Sequence, residues 1–110
     1  MAKHIVLVAT LDTKEIEAAY VKDLIESRGH IPVVVDCGVM KDPTFEPDVS
    51  RHAVAKAADT TIEEILKTGD KNHAIGTMTQ GAMETAKALY EKGNLDGIIS
   101  MGGIQGTVIG

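Results

Sequence analysis

The chain has 110 residues, 44% of them hydrophobic but only 3% aromatic, and a formal net charge of −5. That length holds one small domain with a core of Val, Ile, Leu, Ala and Met, and the acidic balance excludes a broad nucleic-acid surface, which needs clustered Lys and Arg to displace counterions. A single cysteine, Cys37, excludes an intramolecular disulfide, and no run approaches the roughly 18 apolar residues of a membrane span, so the expectation is a soluble cytoplasmic protein with no nucleic-acid or membrane partner.

The run "HIVLVAT" is apolar throughout and bounded by polar residues, which predicts a strand buried on both faces of a parallel sheet. "TLDTKE" follows it. Asp12 and Glu15 have the spacing of a capping box at the start of a helix. Thr10 and Thr13 either bind a phosphate or satisfy backbone groups. Lys14 is a cation in a first helical turn, where it opposes the dipole unless an anion lies near; that anion is either a ligand or Asp12 and Glu15. The helix runs through "TKEIEAAYVKDLIESRG", with Ile16, Ala19, Tyr20 and Leu24 as its apolar face and Gly29 closing it.

"IPVVVDCG" predicts a second buried strand, its proline at the edge where a missing N–H does least harm. Asp36 at its end either meets ribose hydroxyls, as a carboxylate does at this place in a dinucleotide fold, or forms an Asx turn before Gly38. Cys37 reads as a small buried residue. The stretch "VMKDPTFEPDVS" is irregular and long enough to suspect function; its Asp42, Glu46 and Asp48 either hold Mg²⁺ through water or form a solvated loop. The four histidines have no zinc-ligand spacing.

Ser50 caps a short helix, "RHAVAKAA", and Thr61 with Glu64 opens another, "TTIEEILKTG". Asp70 starts a longer helix through Gly93, with an apolar stripe of Ile75, Met78, Ala82, Met83, Ala86, Leu89 and Tyr90; Gly76 and Gly81 either allow close approach to the sheet or contact a ligand. "LDGIISM" is the third strand, and "MGGIQGT" follows it. This turn is neither a Walker A loop nor a complete dinucleotide fingerprint, since Met101 stands where the first glycine would. It either lets backbone N–H groups approach a phosphate before a helix N-terminus or is only a tight turn.

The order β-α-β-(helices)-β predicts an α/β fold: a three-layer, Rossmann-like half with parallel strands in the order 2-1-3, truncated from a larger domain. Ligands of such sheets bind outside the carboxyl ends of the strands. The candidate nucleotide-contacting residues at those ends are Thr10, Asp12, Thr13, Lys14, Asp36, Gly38, Gly102, Gly103, Gln105, Gly106 and Thr107.

The segments "VLVATLDTKE", "VVVDCGVMKDPTFEPDVSR" and "GDKNHAIGTMTQGAMETAKALYEKGNLDGIISMGGIQGT" together resemble the ATP-binding domain family of the tomato mosaic virus resistance protein, over essentially the whole chain. Ile104 departs from that pattern, where a small residue, often serine, is usual. The resemblance implies a Rossmann-like fold, Mg-ATP binding, and self-association to dimers or higher oligomers. It also implies that the chain is the first part of the N-terminal domain of a longer two-domain protein, with strand three left as an exposed edge. The leading functional expectation is therefore a Mg-ATP-binding module. Its rivals are a domain that binds a phosphorylated metabolite for an enzyme whose chemistry lies in the missing half, and an assembly module without a ligand.

Overall fold

The two apolar runs nearest the N-terminus form neighbouring parallel strands, β1 (His4–Ala9) and β2 (Ile31–Asp36), joined by helix α1 (Leu11–Ser27). Helices α2 (Arg51–Ala57), α3 (Ile62–Lys67) and α4 (Lys71–Glu91) then lead to strand β3 (Gly97–Met101). This is a computed structural model, and it describes residues 3–40 and 42–101. The strands are all parallel and lie in the order β2-β1-β3, as expected.

Alternation along β1 divides the core in two. Leu7 and Ala9 face α1, where Leu11, Ala18 and Val34 complete a buried cluster against half-buried Val21 and Phe45. Val6 and Val8 face the other side, where Val35, Val54, Ile65, Met78 and Ala82 are buried with them. Both faces of the central strand are covered, which is why "VLVA" carries no polar residue. The outer edge of β2 is also protected: Val49 bridges Val35, and Asp48 Oδ2 accepts from Val34 N at 2.7 Å. Among the described residues no strand pairs the far edge of β3, where Ile98 and Ile99 stay about 40% exposed.

The predicted caps form. Ser50 Oγ accepts from Ala53 N, Thr61 Oγ1 from Glu64 N, and Asp70 Oδ1 from Asn72 N and His73 N. Gly29 follows α1 with φ of +79°, a conformation that favours glycine. No helix among the described residues is long and apolar enough to cross a membrane.

The buried faces of the two long helices differ from expectation. In α1, Ile16 is 84% and Tyr20 66% exposed, while Leu11, Ala18 and Ile25 turn inward. The cause lies at the first residue: Leu11 N donates to the buried Asp36 carboxylate at 3.2 Å, which fixes Leu11 in the core and carries positions seven and fourteen residues on with it. A kink at Lys14 (φ −120°, ψ 23°) lets that first turn differ from the rest. In α4, Met78 and Ala82 are buried, but Met83 and Tyr90 face outward. Here Gly81 sets the rotation. A Cβ at Gly81 would lie 2.1 Å from Val54 O, so the backbones of α2 and α4 touch at this point. Gly81 therefore serves helix-on-helix rather than helix-on-sheet contact, and Gly76 has nothing within 4 Å of its Cβ position.

Candidate functional site

The carboxyl ends of β1 and β2 open onto α1 and onto the segment after β2. Thr10 occupies the N-cap position of α1 without making a side-chain cap bond; its hydroxyl lies 3.2 Å from that of Thr13. Asp12 and Glu15 do not form the expected capping box. Because the helix starts at Leu11, their carboxylates reach outward and hold the segment after β2 instead. Asp12 Oδ2 accepts from Val39 N at 3.2 Å and Met40 N at 3.1 Å. Glu15 Oε2 accepts from Thr44 N at 2.8 Å and from the Thr44 hydroxyl.

Asp36 is wholly buried at the end of β2. Its Oδ1 accepts from Leu11 N and, in an Asx turn, from Gly38 N at 2.9 Å, so one oxygen ties β1's exit to β2's exit. Burial pushes its carboxyl up to about 6; the two amide hydrogen bonds and Arg51 work against that rise, and the charge of Asp12 adds to it. Among the described residues Asp36 Oδ2 and Asp12 Oδ1 have no hydrogen-bond partner, although both atoms are buried. Gly38 lies between the two carboxylates: a Cβ there would sit 2.7 Å from Asp12 Oδ1.

Arg51, the first residue of α2, is a largely buried cation beside the site that sequence reasoning missed. Its side chain is only 12% exposed; Nη1 donates to Val39 O at 2.5 Å and Nε to Asp42 Oδ1 at 2.8 Å. The hydrogen-bonded guanidinium holds the Asp42 carboxyl below the usual carboxylate range. Asp42 thus belongs to an ion pair with Arg51, and among the described residues no group of three or more His, Cys, Asp or Glu is placed to hold a metal. A signal for Arg51 was present: a cation in a first helical turn opposes the dipole, the same argument that marks Lys14. Arg51→Ala is expected to lower stability by about 2 kcal/mol, because it leaves the Val39 carbonyl unpaired. Urea unfolding measures this, with faster amide exchange at Val39 and Met40 as the local signature.

These elements enclose a cleft of about 660 Å³. Thr10, Thr13 and Lys14 stand at one end, and Lys14 Nζ is 3.8 Å from Glu17 Oε2, a surface pair of little strength. The walls are Val39 and Met40 on one side and Ile65, Leu66, Ile75 and Met78 on the other. Asp12, Cys37 and Gly38 also border it, whereas Asp36 lies behind them. Burial, with Asp36 and Asp12 nearby, pushes the Cys37 thiol up to about 12, so it stays protonated near neutral pH. The structure thus brings together the sequence-predicted residues of the first two strand ends. Those of the third, Gly102, Gly103, Gln105, Gly106 and Thr107, lie outside the described residues.

Residues 3–110 match the model of the N-terminal domain of an uncharacterised protein family, UPF0261. A UPF0261 protein of Brucella suis biovar 1 is 39% identical over 104 residues, covering 94% of this chain and 25% of its own length. One from Clostridium tetani is 36% identical over 109 residues, covering 99% of this chain and 27% of its own. A third, from Rhizobium meliloti, is 34% identical over 107 residues. The chain spans about a quarter of the length of these relatives. No solved structure matches. These matches correct the resemblance to the tomato mosaic virus resistance family: the family that the sequence matches is UPF0261, and nothing in the comparisons points to the other. Each motif behind that resemblance is weak alone, and the family model that matches residues 3–110 is that of UPF0261.

Proposed function

We propose that this chain, which belongs to the UPF0261 family and corresponds to its N-terminal domain, is a ligand-binding module whose cleft takes a phosphate-bearing small molecule, a nucleotide in the form of Mg-ATP. One observation carries this reading: an open cleft of about 660 Å³ lies at the carboxyl ends of parallel strands, with two threonine hydroxyls and a lysine at one end and apolar walls beyond. That volume lies in the range of small-molecule sites, roughly 300–1,000 Å³. The position is where open α/β sheets bind ligands. The Thr10 and Thr13 hydroxyls and the Lys14 ammonium suit phosphate oxygens, and the apolar walls suit a base. Magnesium would enter with the nucleotide, since among the described residues no acidic group is placed to hold it alone.

Calorimetric titration of Mg-ATP tests it. Saturable binding is expected, and Lys14→Ala should weaken it about tenfold, the effect of one charged contact to phosphate. Lys14 is half-exposed, and its pair with Glu17 contributes little, so the variant should fold normally. Absence of saturable binding at millimolar nucleotide, or equal affinity in the variant, would defeat the reading.

A further inference from the structure

Val39 and Met40 form one wall of the cleft, yet they belong to neither a helix nor a strand. Side chains from the elements on either side hold them. Asp12, in the first turn of α1, accepts through Oδ2 from Val39 N at 3.2 Å and Met40 N at 3.1 Å. Arg51, at the start of α2, donates from Nη1 to Val39 O at 2.5 Å. The same segment runs close against Asp12: a Cβ at Gly38 would lie 2.8 Å from Asp12 Cγ and 3.1 Å from Asp12 N. Asp12 is also next in sequence to Thr13 and Lys14, which stand at the polar end of this cleft. Its charge has the wrong sign there for a phosphate, so holding the wall, rather than touching the ligand, accounts for its place.

We propose that Asp12 is a positioning residue: it sets the spacing between the polar end of the cleft and the Val39–Met40 wall, so that one ligand meets both. This rests on the reading of the cleft as a nucleotide site. The turn of α1 that presents Thr13 and Lys14 also carries the carboxylate that grips the wall, so the two halves of the site are tied through one residue. A wall held in place before the ligand arrives spares binding the cost of ordering it. Loss of the grip therefore weakens contact with the base and leaves contact with the phosphates. The charge of Asp12 works in the opposite direction, because a carboxylate near the polar end repels phosphate. The two effects are separable. Asparagine keeps an oxygen acceptor for Val39 N and Met40 N without the charge, and alanine keeps neither.

The experiment is a set of titrations with Mg-ATP and with inorganic triphosphate and Mg²⁺, against the protein and its Asp12→Asn, Asp12→Ala and Arg51→Ala variants. The readout is the ratio of the two affinities, in which a change of charge near the phosphates largely cancels. Wild type should favour ATP at least about tenfold. Asp12→Asn should keep that ratio and bind both ligands about threefold more tightly. Asp12→Ala should bind triphosphate as Asp12→Asn does, while the ratio falls about fivefold. Arg51→Ala frees Val39 from the opposite side and should lower the ratio too, which serves as the test if Asp12→Ala does not fold. A merely structural role would weaken both ligands together and leave the ratio unmoved. An unchanged ratio in Asp12→Ala, or in Arg51→Ala where Asp12→Ala does not fold, would overturn the proposal and leave the nucleotide reading in place. A ratio lost equally in Asp12→Asn, or ATP that binds wild type no better than triphosphate, would overturn it as well. If neither ligand binds wild type, the functional reading fails first, and the proposal with it.

Discussion

Gly81→Ala should destabilise the protein by about 3 kcal/mol, seen as a fall of about 13 °C in Tm. The added methyl would lie 2.1 Å from Val54 O and 2.9 Å from the Val54 carbonyl carbon, which belong to the backbone of α2 and cannot swing aside as a side chain would. To admit it, α2 and α4 must separate, and that loosens Val54, Met78 and Ala82, all buried in the same cluster. The matched control is Gly76→Ala, five residues earlier in the same helix. Nothing lies within 4 Å of its Cβ position, so this change should stabilise by about 0.5–1 kcal/mol through lower backbone entropy in the unfolded chain. Thermal unfolding of the two variants side by side separates close packing from helix propensity. Shifts of the same sign would refute the proposed contact between helices.

Asp36→Asn should raise stability at neutral pH, by on the order of 2 kcal/mol. Burial lifts the folded-state carboxyl from 3.8 to about 6, so between those pH values the folded protein holds a proton that the unfolded chain releases. The sign follows directly. The contribution of Asp36 is fully present below about pH 4 and is lost as pH rises through 6. At pH 7 the folded state therefore buries a charge that it would bind more favourably as the neutral acid. Asparagine keeps the Oδ1 acceptor for Leu11 N and Gly38 N and removes the charge beside Asp12. Urea midpoints measured from pH 4 to 8 are the test. Wild type should show a decline between pH 4 and 6 that the variant lacks, and parallel curves would show that Asp36 does not titrate in that interval.

Much of the architecture could be read before the structure. "VLVA" and "VVVD" are uninterrupted apolar runs at the length of a strand, and runs of that kind can be buried only in a sheet covered on both faces. The order 2-1-3, with β1 in the middle, is the natural expectation for half of a doubly wound sheet. Ser50, Thr61 and Asp70 were legible as caps because each accepts from an amide two or three residues away, an interaction that local spacing determines.

Asp12 and Glu15 show the limit of that logic. Their spacing is that of a capping box, yet their partners are Val39, Met40 and Thr44, more than 25 residues on, and no local pattern encodes such a choice. Lys14 and Thr13 could be marked as cleft residues from their place after a strand, but the opposite wall could not. Ile65, Leu66 and Met78 look in sequence like ordinary core positions of two amphipathic helices.

By itself, then, the sequence determined the class of fold, the strand order, the starts of α2, α3 and α4 and the strand ends at which a ligand could sit, because those follow from hydrophobic period and short-range capping. The tertiary structure alone decided how far each helix is rotated about its axis. Leu11 is fixed by Asp36 and Gly81 by Val54, and these two contacts turned Ile16, Tyr20, Met83 and Tyr90 outward against the pattern of their own helices. It also decided that Arg51 would be spent on Val39 and Asp42. Rotation and partner choice depend on which surfaces meet, and a helical period leaves that open by about half a turn whenever apolar residues occupy more than one face.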